Sequence, residues 1–277
     1  VVRRISPEPD PGYASGGLGE LWRHRRLVMA FVLNDLKHRY VGSSIGFFWT
    51  VVTPLLELVT YTFVFHFIIG VRFHERGGWS HYALFLFAGM VTWFSVQDGL
   101  SKCTTSITDH GHLIKKVNFQ PITLPGYVVT SAVLNQVIRM GVLAVAVVLV
   151  GPGLTPHFFL VPFVILAQSA FVLGAGMFLA TLNVYYRDTI HWVKAGLLLW
   201  MFITPIFYPA SQYPQRFGLL LQLNPLAHLV GVYQELILNH RTPHPHGLLV
   251  VAVMATFSLL VGYSVFHHHR DRFSDLV

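Results

Sequence analysis

Apolar residues in this chain fall into six long runs parted by short polar segments. Residues 45–71 are apolar except for scattered Thr, Pro54, Glu57 and His66, and further runs cover 82–100, 127–150, 158–182, 193–207 and 248–266. Runs of this kind predict helices that cross a hydrocarbon core about 30 Å thick. The joins between them are brief: RFHERGGWSHY, then 101–120 with Lys102, His110, His112, Lys115 and Lys116, then GPGLTP and NVYYRDTIHW.

Ahead of the first run, residues 18–40 carry a helical period. Val28, Val32, Leu36 and Tyr40 share a face with Met29 and Leu33 beside them, while Arg23, Arg26, Asn34 and Lys37 lie elsewhere. That pattern predicts an amphipathic helix lying in the membrane interface, broken by Gly42, Ser43 and Ser44. Residues 205–242 fit neither pattern. They hold Pro205, Pro209, Pro214 and Pro225, yet 217–223 and 226–238 are apolar. Two short helices broken at Asn224 and Pro225 account for this, since neither is long enough to span alone. Irregular backbone at membrane depth is tolerated where protein or a water-filled cavity covers it.

The expected fold is therefore all-α and polytopic. It has six transmembrane helices, an N-terminal amphipathic interfacial helix over 18–44, and a re-entrant helical hairpin over 205–242 on the outer side between the fifth and sixth spans. Residues 1–17, rich in Pro and charge, form a mobile tail, 45–266 a single transmembrane domain, and 267–277 a second tail.

Composition agrees. With 53% hydrophobic and 11% charged residues, an ordinary soluble domain is excluded. Cys103 is the only cysteine, so no disulfide forms within the chain. No cleavable leader pattern precedes the first apolar run, so the N-terminus is expected in the cytoplasm. Six crossings then leave fourteen of the nineteen Lys and Arg on the cytoplasmic side, as the positive-inside rule requires. The net charge of +7 is spread along the flanks of spans and builds no single groove for a nucleic acid. It suits anionic headgroups or a phosphate-bearing lipid.

Two charges fall inside spans. Glu57 and Arg139 would each cost about 2.5–3.5 kcal/mol at the centre of a lone helix. Either they pair or line a translocation path, or each sits near a headgroup boundary through tilt and snorkelling. Aromatic rings at Trp49, Tyr61, Phe65 and Trp93 are further candidates for such a path, because ring faces stack on sugar rings. Lipid-facing Phe and interfacial Trp and Tyr belts account for many of the rest. The sixteen histidines bring no HExxH or CxxC spacing, so no metal site is expected. The chain has no GxxxxGK[ST] and no nucleophile elbow. It is expected to be no enzyme, and any nucleotide energy must enter through another polypeptide.

Several segments resemble one family. DLK, RY, GS, IGFFW and a following Pro (35–54) are similar to the start of type-2 ABC exporter permeases for O-antigen and related polysaccharides (Wzm-like permeases). HLIKKVNFQPITLP (112–125) resembles that family's coupling segment, NVYYRDTIH (183–191) its RD-containing loop, and TPIFYP (204–209) with LNPLAHLV (223–230) its outer gate. The matches keep family order from about 18 to 266.

The resemblance implies a homodimeric permease in the cell inner membrane, both termini cytoplasmic, with two copies of a cytoplasmic ABC ATPase that bind ATP and Mg. The cargo it implies is a polyprenyl-pyrophosphate-linked polysaccharide. Lys37, Arg39 and Tyr40 would receive the lipid pyrophosphate. Leu113, Ile114, Lys115, Lys116, Val117, Asn118 and Phe119 would couple to the ATPase, and Pro205, Phe207, Tyr208, Asn224 and Pro225 would form the outer gate. Two rival functions stand beside it: an exporter of a drug or small amphiphilic lipid with the same fold, and a membrane-embedded enzyme using histidines such as His228, His240 and His267.

Overall fold

The computed structural model describes residues 19–38, 46–70, 78–115, 119–238 and 242–277, and every regular element among them is helical. In chain order these are α1 (Gly19–Arg23) and α2 (Arg25–His38); α3 (Trp49–Thr62), continued by a π-helical turn (Phe63–Ile68); α4 (Trp79–Asp109); α5 (Gly111–Ile114); and α6 (Thr123–Val150). A 3-10 turn (Pro156–Leu160) leads into α7 (Val161–Tyr185), and then come α8 (Thr189–Ile203), α9 (Gly218–Leu223), α10 (Pro225–Ile237), α11 (Pro245–His269) and α12 (Phe273–Leu276).

Five continuous helical segments are long and apolar enough to cross a membrane: Trp49–Ile68, Trp79–Asp109, Thr123–Val150, Pro156–Tyr185 and Pro245–Leu276. The chain is thus a multi-pass helical membrane protein. The fifth apolar run, 193–207, forms α8, whose 15 residues rise about 22 Å.

The bundle is built around α4. Its most apolar stretch is 83% buried, against 11% for Trp49–Ile68. Tyr82, Leu86, Phe87 and Trp93 of α4 are closed off from solvent; α6 and α7 pack along it, and α11 packs along α7. Helices α3 and α8 also lie against α4. Each keeps an apolar face outward, with Leu56 and Val59 exposed on α3 and Trp192, Leu199 and Phe202 on α8. On a membrane protein such faces meet lipid or another chain.

The second apolar run predicts a helix over 82–100, yet α4 continues to Asp109 through a polar stretch. Three hydroxyls are accommodated there by bonding back to carbonyls of the same helix, which leaves none of these donors unpaired. Thr104 Oγ1 donates to the Leu100 carbonyl at 2.7 Å, Ser106 Oγ to that of Cys103 at 2.8 Å, and Thr108 Oγ1 to that of Thr105 at 3.0 Å. A second apolar cluster seals this end of the bundle. Ile107, Ile114, Leu124, Met177, Phe266 and Phe273 meet there, and the Val277 side chain rests on Gly111.

The amphipathic segment divides its apolar residues between two surroundings. Val28 and Val32 are buried, whereas Met29 and Leu33 are exposed. The helix runs along α6, where Phe31 stacks on Tyr127 at 5.3 Å and the Ser131 hydroxyl donates to the Asp35 carboxylate.

Candidate functional site

Three groups of side chains have the geometry of working parts. The first surrounds the break between α9 and α10. Pro225 opens α10, and Asn224 Oδ1 accepts from the Leu226 and Ala227 amides at 3.1 and 3.3 Å, which satisfies the first turn. The same carboxamide reaches back to α8. Trp200 Nε1 donates to Asn224 Oδ1 at 2.8 Å, and Asn224 Nδ2 donates to Thr204 Oγ1 at 3.0 Å. Replacing Asn224 with Ala removes the cap, worth about 1 kcal/mol, and strands the buried partners. The thermal midpoint of the purified protein should fall by several degrees, and an unchanged midpoint would show that the cap carries no weight.

Beside this break lies a cluster of rings. Phe207 is 2% exposed, and its ring stacks on Phe65 at 4.5 Å, with Tyr61 at 5.7 Å and Phe202 at 5.6 Å. Tyr82 anchors the turn by donating to the Phe207 carbonyl at 2.8 Å, and Tyr208 donates to that of Phe202 at 2.8 Å. Two candidate path residues, Tyr61 and Phe65, thus meet a candidate gate residue, Phe207. Pro205 is buried in the same turn. Two other path candidates lie elsewhere. Trp49 is 36% exposed, whereas Trp93 is 2% exposed, donating from Nε1 to Gln97 Oε1 at 2.9 Å within the core.

The second group is a buried polar network joining four helices. Gln136 of α6 and Gln168 of α7 form a reciprocal amide pair, with N···O distances of 3.0 and 3.1 Å. Ser95 of α4 donates to Gln136 Oε1 at 2.9 Å. Tyr233 of α10 donates to Gln168 Oε1 at 2.9 Å and accepts from Gln136 Nε2 at 3.1 Å. All four residues are buried. Charge singles out Glu57 and Arg139 within apolar runs, but these four residues carry none. An uncharged amide inside an apolar run is the signal that finds them.

Between α4 and α6 a cleft of about 280 Å³ is lined by Phe94, Gln97, Asp98, Ser101, Asn135 and Arg139, among others. The Arg139 guanidinium stands over the Phe94 ring at 5.4 Å and acts electrostatically on Glu57 of α3. The structure therefore sets the two intramembrane charges within electrostatic range of each other.

The third group is the expected coupling segment. Leu113 is half-buried and Ile114 buried, while His112 and Lys115 are exposed. Phe119 packs on the second apolar cluster. Lys116, Val117 and Asn118 lie outside the described residues. Lys37 is exposed on α2, and Arg39 and Tyr40 lie outside the described residues. Among the described residues no group of three or more His, Cys, Asp or Glu is placed to hold a metal ion.

The structure is a multi-pass helical bundle with a buried polar network and a Pro-broken helix pair. The chain belongs to the ABC-2 type transporter family, whose model matches residues 26–238. It is 32% identical over 260 residues to the O-antigen export system permease protein RfbA of Myxococcus xanthus, covering 93% of this chain and 98% of that protein. It is 26% identical to the O-antigen export system permease protein RfbA of Klebsiella pneumoniae over 91% of this chain and 95% of that protein. It is 19% identical to the polysialic acid transport protein KpsM of Escherichia coli over 88% and 93%.

Proposed function

We propose that this chain is the membrane-spanning subunit of an ATP-driven exporter that moves a polyprenyl-pyrophosphate-linked, O-antigen-like polysaccharide from the cytoplasm to the outer side of the inner membrane. The observation that carries the reading is the near full-length match to O-antigen export permeases. The rings of Tyr61, Phe65 and Phe207 beside the Asn224–Pro225 break support it, since they supply flat apolar faces next to a jointed element.

Family membership implies an ATPase partner. In this reading two copies of the chain pair through the apolar faces left open on α3 and α8, and two ATPase subunits bind ATP and Mg. Those subunits dock on the segment containing Leu113, Lys115 and Phe119. The chain crosses six times, with α8 as the short fifth span and both termini cytoplasmic, and α9–α10 form a re-entrant hairpin that closes the path from outside. Lys37 and the neighbouring Arg39 and Tyr40 receive the lipid pyrophosphate.

Depletion of the protein in its native host tests this, with gels of surface polysaccharide and mass spectrometry of polyprenyl-linked glycan. Loss of surface glycan with accumulation of finished lipid-linked glycan inside the cell is the expected result. If both pools stay unchanged, the polysaccharide assignment falls and export of a small amphiphile takes its place.

A further inference from the structure

The cleft between α4 and α6 has a chemistry that the export reading does not yet use. It opens near the middle of both helices, at a depth where every backbone N–H is held within a helix. Hydrogen bonds to an occupant must therefore come from side chains. Asn135 commits one amide N–H to the Ser131 carbonyl at 2.9 Å, and Asp98 is balanced by Lys102 at 3.2 Å. Gln97 accepts from Trp93 and keeps its Nε2 unused. The Ser101 hydroxyl makes no hydrogen bond among the described residues.

Arg139 is the strongest donor there. Its guanidinium makes no hydrogen bond or ion pair among the described residues and stands over the Phe94 ring face, which leaves its in-plane N–H fork without a partner there. Glu57 acts on it only at longer range. A half-buried guanidinium with an open fork is matched by a pair of oxygens on one anionic group. An uncharged cargo would leave that charge without a partner in a low-dielectric setting.

We propose that this cleft is an oxyanion subsite, in which Arg139 takes two oxygens of a phosphate or carboxylate while Gln97 Nε2 and the Ser101 hydroxyl donate to the others. Glu57, a like charge to the occupant, weakens the hold and keeps the site releasable. The inference rests on the export reading only for what delivers the anion: the diphosphate of a lipid carrier or the carboxylate of an acidic sugar.

The full-length chain in nanodiscs of zwitterionic phosphatidylcholine is titrated with geranylgeranyl diphosphate, inorganic pyrophosphate, glucuronate and geranylgeraniol. Tryptophan emission is followed, because Trp93 is bonded to the cleft residue Gln97; Trp93→Phe identifies its share of the signal. Anion binding is expected in the wild type, weakened about tenfold or more in Arg139→Gln, partly kept in Arg139→Lys, and tightened in Glu57→Gln. Response to the two diphosphates alone assigns the carrier phosphate, and response to glucuronate alone assigns a sugar carboxylate. If Arg139→Gln fails to fold, the double variant Gln97→Ala, Ser101→Ala carries the same comparison in its place. Equal anion affinity in variant and wild type, no anion binding, or geranylgeraniol binding as tightly as its diphosphate overturns the subsite. Such a failure leaves the polysaccharide reading standing, since that is decided by the glycan pools of depleted cells.

Discussion

Gly262→Leu is expected to abolish assembly of the bundle. Helices α7 and α11 form the most extensively packed pair in the structure, and they approach through glycine. A Cβ at Gly262 would overlap the Gly174 carbonyl oxygen, and one at Gly174 would overlap the Ser258 backbone. The obstacle in both cases is main chain, so no rotamer change relieves it and the helices must part. Between spans in lipid, close packing is itself the main source of association. Parting them forfeits dispersion along the seam, together with the 2.9 Å bond from Ser258 Oγ to the Phe171 carbonyl.

Gly262→Ala should cost at least the ~1–3 kcal/mol typical of overpacking, and Gly262→Leu should leave no monodisperse protein on size-exclusion chromatography. Gly141 supplies the control. A Cβ there meets nothing within 4 Å, so Gly141→Ala should be neutral, or stabilising by up to about 1 kcal/mol through helix propensity. Recovery of folded Gly262→Leu at the wild-type level would show that the seam is plastic.

Much of this architecture is legible in the chain itself, because lipid demands long apolar runs and those runs are visible. The break at Asn224 and Pro225 is equally plain. Proline is costly in a helix interior but suited to a first turn, and Asn before it caps the helix it opens. What stays hidden is whatever depends on a distant partner. The continuation of α4 to Asp109 reads as loop because Ser, Thr, Lys102 and Asp109 lower its hydropathy, although the hydroxyls fold back onto their own helix. Tyr61 and Phe65 stand out as aromatics, yet only the tertiary fold brings them onto Phe207. The seam at Gly174 and Gly262 is invisible for the same reason: small residues are common in spans, and which two meet is a matter of packing.

Gln136→Leu is expected to loosen α10 from the spans. Taken bond by bond the network looks weak, since hydrogen bonds between membrane helices average about 0.6 kcal/mol. The groups that the substitution strands cost more than the bonds it breaks. Removing Gln136 deprives the Gln168 amide of its acceptor, leaves Ser95 Oγ without its own, and takes a donor from Tyr233. Each buried polar group left without a partner costs about 1–3 kcal/mol, so a loss of about 2–5 kcal/mol is expected, enough to lower the thermal midpoint by roughly 5–15 °C. The same logic makes the changes non-additive. Gln136→Leu with Gln168→Leu removes both halves of the amide pair together, so the double variant should be less destabilised than the sum of the two single ones. Because Tyr233 is the network's tie to α10, the effect should also be local, with amide exchange rising over Pro225–Ile237 before it rises in α4. Strict additivity, or uniform exchange throughout the bundle, would mean that the four side chains share a cavity without acting as a latch on α10.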